Sequence, residues 1–144
     1  MNASAARRLL FSLVATGAIL ALTGCDRAPE SAQELDPADV VLRQRAALVA
    51  GDYRAARSYA ADELRGKFDD VAFGAMILRG YQRLTEPGRA VVSAVSVEGD
   101  QAFVSLRLEP STGGSHWYRY ALQREGDAWR IAGVVPFDPD GVML

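Results

Sequence analysis

The longest uncharged stretch of the chain lies near its amino end, directly after a short basic segment. Residues 9–22 are uncharged and mostly apolar, and Arg7 and Arg8 precede them. This stretch is shorter than the roughly 20 apolar residues that a transmembrane helix needs. A basic start followed by a short apolar run is typical of an export signal. We therefore predict a signal peptide over residues 1–24.

Apolar residues at helical spacing follow in the next part of the chain. Asp36 suits a helix N-cap and Pro37 suits the first helical position, so the first helix is predicted to begin there and to stop before Gly51. Its predicted buried stripe consists of four aliphatic residues: Val41, Leu42, Leu48 and Val49. A second, shorter helix is predicted over residues 53–65, with Gly66 ending it.

The third helix has a clear predicted start. Asp69 suits its N-cap, and Phe68 and Phe73 are spaced as a hydrophobic staple around that position. The residues at core-facing spacing are Phe73, Met76, Ile77, Gly80, Tyr81 and Leu84. Pro87 and the glycine after it break this pattern.

The rest of the domain alternates between apolar and polar residues, as half-buried strands do. Strands are predicted over residues 90–97, 101–108, 116–124 and 128–135, with tight turns between the first and last pairs. The inward-facing residues are predicted to be Ala102, Val104, Leu106, Leu108, His116, Tyr118, Tyr120, Leu122, Trp129, Ile131 and Val135. Helices followed by an antiparallel meander predict an α+β fold, with the helices on one sheet face.

The only cysteine of the chain directly follows the predicted signal. The segment Leu22-Thr23-Gly24-Cys25 resembles the lipobox of bacterial lipoproteins. That resemblance implies cleavage before Cys25 and acyl chains such as palmitate on it, with residues 25–35 as lipidated N-terminus and tether. The alternatives are an ordinary secretory signal with a coincidental cysteine, or a marginal membrane anchor. Asp26 resembles the inner-membrane retention signal of enteric lipoproteins, so the predicted location is the periplasmic face of the inner membrane.

Three segments of the domain carry a second resemblance: Gly51-Asp52-Tyr53-x-x-Ala56, Phe73-x-x-Met76-x-x-x-Gly80-Tyr81, and the hairpin from Tyr118 to Ile131. They resemble small domains of the nuclear transport factor 2-like class, and in particular an uncharacterised bacterial family known only as a domain of unknown function. The resemblance implies a cone of about three N-terminal helices packed on a curved four-stranded antiparallel sheet. The domain is predicted to span residues 36–136, with a tail over 137–144. The class implies no single activity, because one fold hosts many chemistries.

Charge excludes two classes of partner. After residue 24 the chain has 14 basic and 18 acidic residues, a net charge of −4, because Arg7 and Arg8 fall in the signal. An acidic domain lacks the basic footprint that nucleic-acid binding requires. No segment is polybasic enough to attract anionic lipid. We therefore expect the membrane to be a partner through the lipid on Cys25.

The residues needed for nucleophilic or metal chemistry are scarce. His116 is the only histidine, and Ser115 beside it would face the other side of a strand. One histidine and a lipidated Cys25 cannot build a zinc site. The segment Asp138-Pro139-Asp140-Gly141 lacks the later ligands of a calcium loop. We expect no catalytic residue, no metal and no cofactor.

Acid–base catalysis in the cone is the strongest enzymatic alternative. Tyr81, Tyr118 and Tyr120 could supply hydroxyl groups. The carboxylates, however, are predicted in turns, caps or helix ends, where burial would not raise their pKa. The sequence therefore favours a protein that is not an enzyme over an isomerase or dehydratase of this fold class.

The apolar and aromatic residues of the cone suggest a pocket. Its candidate lining residues are Phe73, Met76, Tyr81, Phe103, Tyr118, Tyr120 and Trp129, and the plain alternative is that they form the core. Arg79 and His116 are candidates for its mouth, where a cation would favour an anionic ligand.

We interpret the chain as an envelope lipoprotein that binds a small ligand or an envelope protein. The alternative is an interaction module, such as a homodimer, whose cone is filled by its own side chains. An open cavity without a carboxylate would favour a ligand-binding protein. A filled cone would favour the interaction module, and a buried carboxylate beside a tyrosine would favour the enzyme.

Overall fold

Four α-helices precede four strands in the computed structural model, which describes residues 34–141. The helices are α1 (Pro37–Val49), α2 (Tyr53–Ser58), α3 (Asp62–Lys67) and α4 (Asp70–Gly80), followed by one 3₁₀ turn (Gln82–Thr85). The strands are β1 (Gly88–Glu98), β2 (Gln101–Pro110), β3 (His116–Glu125) and β4 (Ala128–Pro136). The predicted signal peptide, Cys25 and most of the tether lie outside the described residues.

The predicted helix starts are confirmed by their caps. The carboxylate of Asp36 accepts a hydrogen bond from the Asp39 amide at 2.9 Å at the start of α1. The carboxylate of Asp69 accepts one from the Ala72 amide at 2.8 Å at the start of α4. Each cap satisfies an amide that the first helical turn leaves without a partner.

The prediction of one helix over residues 53–65 is wrong, because the chain breaks between α2 and α3. The backbone there pairs with β4: the Ile131 amide donates to the Tyr59 carbonyl, and the Ala61 amide donates to the Ile131 carbonyl, both at 2.8 Å. Gly66 does not end the helix either, since α3 continues to Lys67. The domain therefore has four α-helices, and the break ties them to the last strand.

The sheet has the order β1-β2-β3-β4, with every neighbouring pair antiparallel. The predicted inward positions of β2 are all buried, as are most of those on β3 and β4: Ala102, Val104, Leu106, Leu108, Tyr118, Tyr120, Leu122, Trp129 and Ile131. The predicted α+β architecture is confirmed.

Of two further predicted inward positions, one lies on the other face and one is on the inward face, opposite Leu108, without being fully buried. The register of β3 and β4 shifts beside Ala132, because Leu122 pairs with Ile131 whereas Ala121 pairs with Gly133. This one-residue bulge turns Val135 to the outer face, where it is 56% exposed. His116, at the start of β3, is only half-buried.

Helix α1 packs across the sheet with a stripe that differs from the predicted one. Val41 and Leu48 are fully buried, but Val49 is exposed. Two polar residues, Gln44 and Arg45, are buried on the same face. The helical spacing of 41, 44, 45 and 48 places all four on one side of α1.

Candidate functional site

A cavity of about 500 Å³ opens between α4 and β4. Phe73 and Met76 line it from α4, and Tyr81 lines it from the end of that helix. Ile131 and Val134 line it from β4. Its size is within the range of small-molecule pockets.

The β4 bulge determines the shape of the cavity on the sheet side. Beyond the bulge, Phe103, Ala121 and Gly133 are aligned in register across three strands on the outer face. All three also line the cavity. Because β4 is an edge strand, the cavity therefore continues around its edge from the helix side to the outer face.

Close packing and one hydrogen bond hold α4 in place. A Cβ added at Gly74 would lie 3.0 Å from the Tyr53 ring, so the absence of a side chain there lets α4 approach α2 closely. At the end of α4, the Tyr81 hydroxyl donates to the Val134 carbonyl at 3.4 Å. Both contacts fix the helix wall of the cavity relative to its surroundings.

The lining of the cavity is mostly apolar and contains no carboxylate among the described residues. Gln44 is one of its few polar residues, and its side-chain amide donates to the Ala56 carbonyl at 3.3 Å. Arg119 is the only charged lining residue, and its guanidinium lies 4.7 Å from the centre of the Phe137 ring. Such a site can hold an apolar body and one anionic group, but it offers no carboxylate as a general acid or base.

The structure brings four of the predicted pocket residues together: Phe73, Met76, Tyr81 and Phe103 line the cavity. The other three are part of the core or of a second groove. Tyr120 is wholly buried, and Trp129 is buried with the Arg124 guanidinium 4.4 Å from its ring centre. Tyr118 contributes to the second groove.

The two predicted mouth residues lie at different places. Arg79 is exposed beside a shallow depression on the outer side of α4. His116 lies in the second groove, where an Arg83 guanidinium nitrogen is 2.6 Å from its Nδ1. That groove is open, measures about 950 Å³, and also contains Trp117, Tyr118 and Asp138. Arg79 and His116 therefore do not form a common anion site.

Arg45 and Tyr120 are both buried and lie near enough to interact electrostatically, an arrangement that the sequence did not predict. Arg45 is 5% exposed and donates from a guanidinium nitrogen to the Glu86 carbonyl. Its Nε and the Tyr120 hydroxyl have no hydrogen-bond partner among residues 34–141. Burial lowers the pKa of Arg45 and raises the pKa of Tyr120. The position of Arg45 within the α1 stripe, four residues after Val41, was the available signal.

Two features required by other functional classes are missing from residues 34–141. No group of three or more histidine, cysteine, aspartate and glutamate side chains is placed to hold a metal ion. No helix in this part of the chain has the length and apolar character needed to cross a membrane.

Solved structures with a similar fold come from several bacteria. A SEC-C motif protein from Rhodopseudomonas palustris is 19% identical over 71% of this chain and 79% of its own, with a TM-score of 0.54. A Campylobacter jejuni protein, provisionally named an NTF2-like transpeptidase, is 13% identical over 69% of this chain and 99% of its own, with a TM-score of 0.55. An NTF2-like protein of unknown function from Shewanella oneidensis is 15% identical over 70% and 95%, with a TM-score of 0.51.

Identities this low establish the fold alone, and they confirm the predicted nuclear transport factor 2-like fold. No curated protein matches the chain. The family described as a domain of unknown function, DUF4864, matches residues 30–143. This match spans most of the sequence, and the chain therefore belongs to the DUF4864 family, with a nuclear transport factor 2-like fold.

Proposed function

We propose that this protein is a lipid-anchored protein of the bacterial envelope whose domain binds a small apolar or amphipathic ligand between α4 and β4. The observation that carries the proposal is an open cavity of about 500 Å³ with an apolar lining and no carboxylate among the described residues. The lipobox-like segment ending at Cys25 supports the anchor, and Asp26 supports the periplasmic face of the inner membrane.

The physical argument for a ligand is the apolar surface that the cavity leaves uncovered. Phe103 is exposed although it is aromatic, and Met76 and Tyr81 are only partly buried. Each 100 Å² of apolar surface removed from water contributes about 2.5 kcal/mol. A ligand that covers these three side chains would therefore gain several kcal/mol against the entropy cost of binding.

The same observations weigh against the two alternatives. An interaction module with a filled cone would leave no cavity of this size. An acid–base enzyme would need a carboxylate in the cavity, and the sole histidine lies in the separate groove. The provisional transpeptidase name of one structural neighbour does not transfer, because a likeness at 13% identity concerns the fold.

Native mass spectrometry of the chain from residue 26 onward, purified from the periplasm of its own host, tests the ligand. Ala132 is exposed and lines the cavity, so Ala132→Trp should fill it with the indole while sparing the core. Ala46→Trp is the matched control, since Ala46 is exposed on α1 and does not line the cavity. We expect a bound mass in the wild type and in Ala46→Trp, and its loss in Ala132→Trp.

A wild-type chain without a bound mass would contradict the ligand proposal and direct attention to protein partners. A mass that persists unchanged in Ala132→Trp would show that the ligand occupies a different site.

A further inference from the structure

The outer face of the sheet, opposite the helices, gathers arginines and aromatic residues in one half. Arg107 pairs across the sheet with Trp117, and Arg119 pairs with Val135. Arg89 lies on the same face of β1, opposite Glu109. We call this surface the arginine face and define it by Arg89, Arg107, Trp117, Arg119 and Val135, with Phe103 at its border toward the other half of the sheet.

The arginine face is basic although the domain as a whole has more acidic than basic residues. Its strands carry one carboxylate there, Glu109, which lies 2.8 Å from Arg107 and 3.9 Å from Arg89. Arg119 has no ion-pair partner within residues 34–141. The acidic residues of the outer face, Glu98 and Glu125, lie at its other end beside the turns, together with Arg130. That end therefore has a net charge of opposite sign, although it is not free of cations.

Aromatic rings lie directly beside these cations. The Arg107 guanidinium is 5.6 Å from the centre of the Trp117 ring, and that ring meets Phe137 edge-on at 6.0 Å. Phe103 and Val135 add exposed apolar surface. Tryptophan and arginine together are typical of surfaces that contact the interfacial region of a bilayer, where a ring lies among headgroups and a cation meets lipid phosphate.

We propose that the arginine face docks on an anionic membrane surface. The charge of the face complements anionic headgroups, whereas a second copy with its own arginine face laid on this one would bring three arginines against three others. The length of chain before the domain is compatible with docking. The nine residue steps from Cys25 to Glu34 reach roughly 30 Å when extended, close to the length of a ten-residue strand.

Docking in this way would also orient the cavity. This second part of the inference rests on the proposed ligand-binding function. Arg119, Phe103 and Val135 belong to the arginine face and also line the cavity. A domain seated on this face would therefore hold the cavity opening against the bilayer, where an amphipathic ligand could enter without crossing water.

Vesicle co-sedimentation of the non-acylated chain from residue 26 onward tests the face without the anchor. Every residue of the core cluster lies between residues 40 and 131, so this chain keeps the whole core. We expect binding to phosphatidylglycerol-containing vesicles, weaker binding to pure phosphatidylcholine, and loss of binding at high salt. The double variant Arg89→Gln/Arg107→Gln should bind more weakly by roughly fivefold per arginine.

Two further variants keep the test independent of folding. Arg43→Gln/Arg54→Gln removes the same charge from exposed arginines of α1 and α2, and it should change binding less than twofold. Arg89→Glu alone alters a side chain that is 73% exposed, so its loss of binding would not reflect unfolding. Circular dichroism checks that all variants are folded.

Several results would overturn the proposal. These are equal binding to neutral and anionic vesicles, an equal loss in both double variants, or no binding to either vesicle. A stable dimer that Arg89→Glu dissociates would assign the face to a second copy. Binding to polyglutamate without binding to vesicles would assign it to an acidic protein. None of these results affects the ligand, because native mass spectrometry detects it without vesicles.

Discussion

The Tyr120 hydroxyl is a buried polar group that costs the fold stability. Its side chain is wholly buried and its oxygen has no hydrogen-bond partner among residues 34–141. An unsatisfied buried hydroxyl costs about 1–3 kcal/mol. Tyr120→Phe removes the oxygen and keeps the ring. We expect the free energy of unfolding to rise by about 1 kcal/mol, which raises the melting temperature by about 4 °C.

Urea denaturation followed by tryptophan fluorescence measures this change. Tyr118→Phe is the matched control, because Tyr118 lies on the same strand face but its hydroxyl is not a buried group without a hydrogen-bond partner. Its substitution should change stability by less than about 0.5 kcal/mol. A Tyr120→Phe protein less stable than wild type by more than about 1 kcal/mol would refute the reasoning, since it would show that Arg45 satisfies the hydroxyl.

The pH dependence of the same variants gives a second readout. Burial raises the pKa of Tyr120 in the folded state, so the folded protein keeps this proton at pH values where the unfolded chain has lost it. The contribution of this difference in pKa to the free energy of unfolding is therefore fully present below about pH 10, the ordinary pKa of tyrosine. It falls as the pH rises above that value. Tyr120→Phe should lose less stability than wild type between neutral pH and about pH 11. Parallel curves for the two proteins would contradict this account.

Two further predictions concern the start of the sheet and the anchor. Gly88→Ala should cost about 2–4 kcal/mol, because the backbone φ is +146° and the new Cβ would lie 2.4 Å from the Glu109 carbonyl oxygen. Gly99→Ala is the control, because Gly99 has φ +60° but open space around it, and it should cost about 1 kcal/mol. Equal losses of unfolding free energy for the two variants in urea denaturation would refute the packing argument. Cys25→Ala should abolish incorporation of radiolabelled palmitate and shift the protein from the membrane to the soluble fraction; a labelled Cys25→Ala protein would exclude acylation at this residue.

Local signals in the sequence predicted the elements that local chemistry determines. Asp36 and Asp69 cap their helices because a carboxylate at that position meets a free amide whatever the rest of the fold does. Alternation along β2 predicted its buried face correctly, because successive side chains point to opposite sides. The break after α2 was missed because its cause is distant: Ala60 pairs with Ile131, 71 residues away.

The same difference between local and distant causes applies to the candidate site. Phe73 and Met76 lie on α4 and Tyr81 directly follows its last residue, so spacing along the helix was enough to place them together. The sequence also placed Tyr120 in the pocket, whereas the structure buries it in the core. Strand alternation identifies which side chains face inward, but not which part of the inward face the helices leave uncovered. The cavity is determined by the bulge at Ala132 and by the close approach of α4 to α2, and neither has a sequence signal of its own.

The arginine face is a candidate functional surface that also depends on residues far apart in the sequence. The sequence contains no polybasic segment, and Arg89, Arg107 and Arg119 lie on three different strands. Antiparallel register brings them onto one face, so a basic surface forms within a chain whose net charge is negative. A linear count of charge therefore excludes a polybasic tail but not a basic sheet face. If the vesicle experiment succeeds, membrane affinity would arise from strand pairing as well as from the proposed lipid on Cys25.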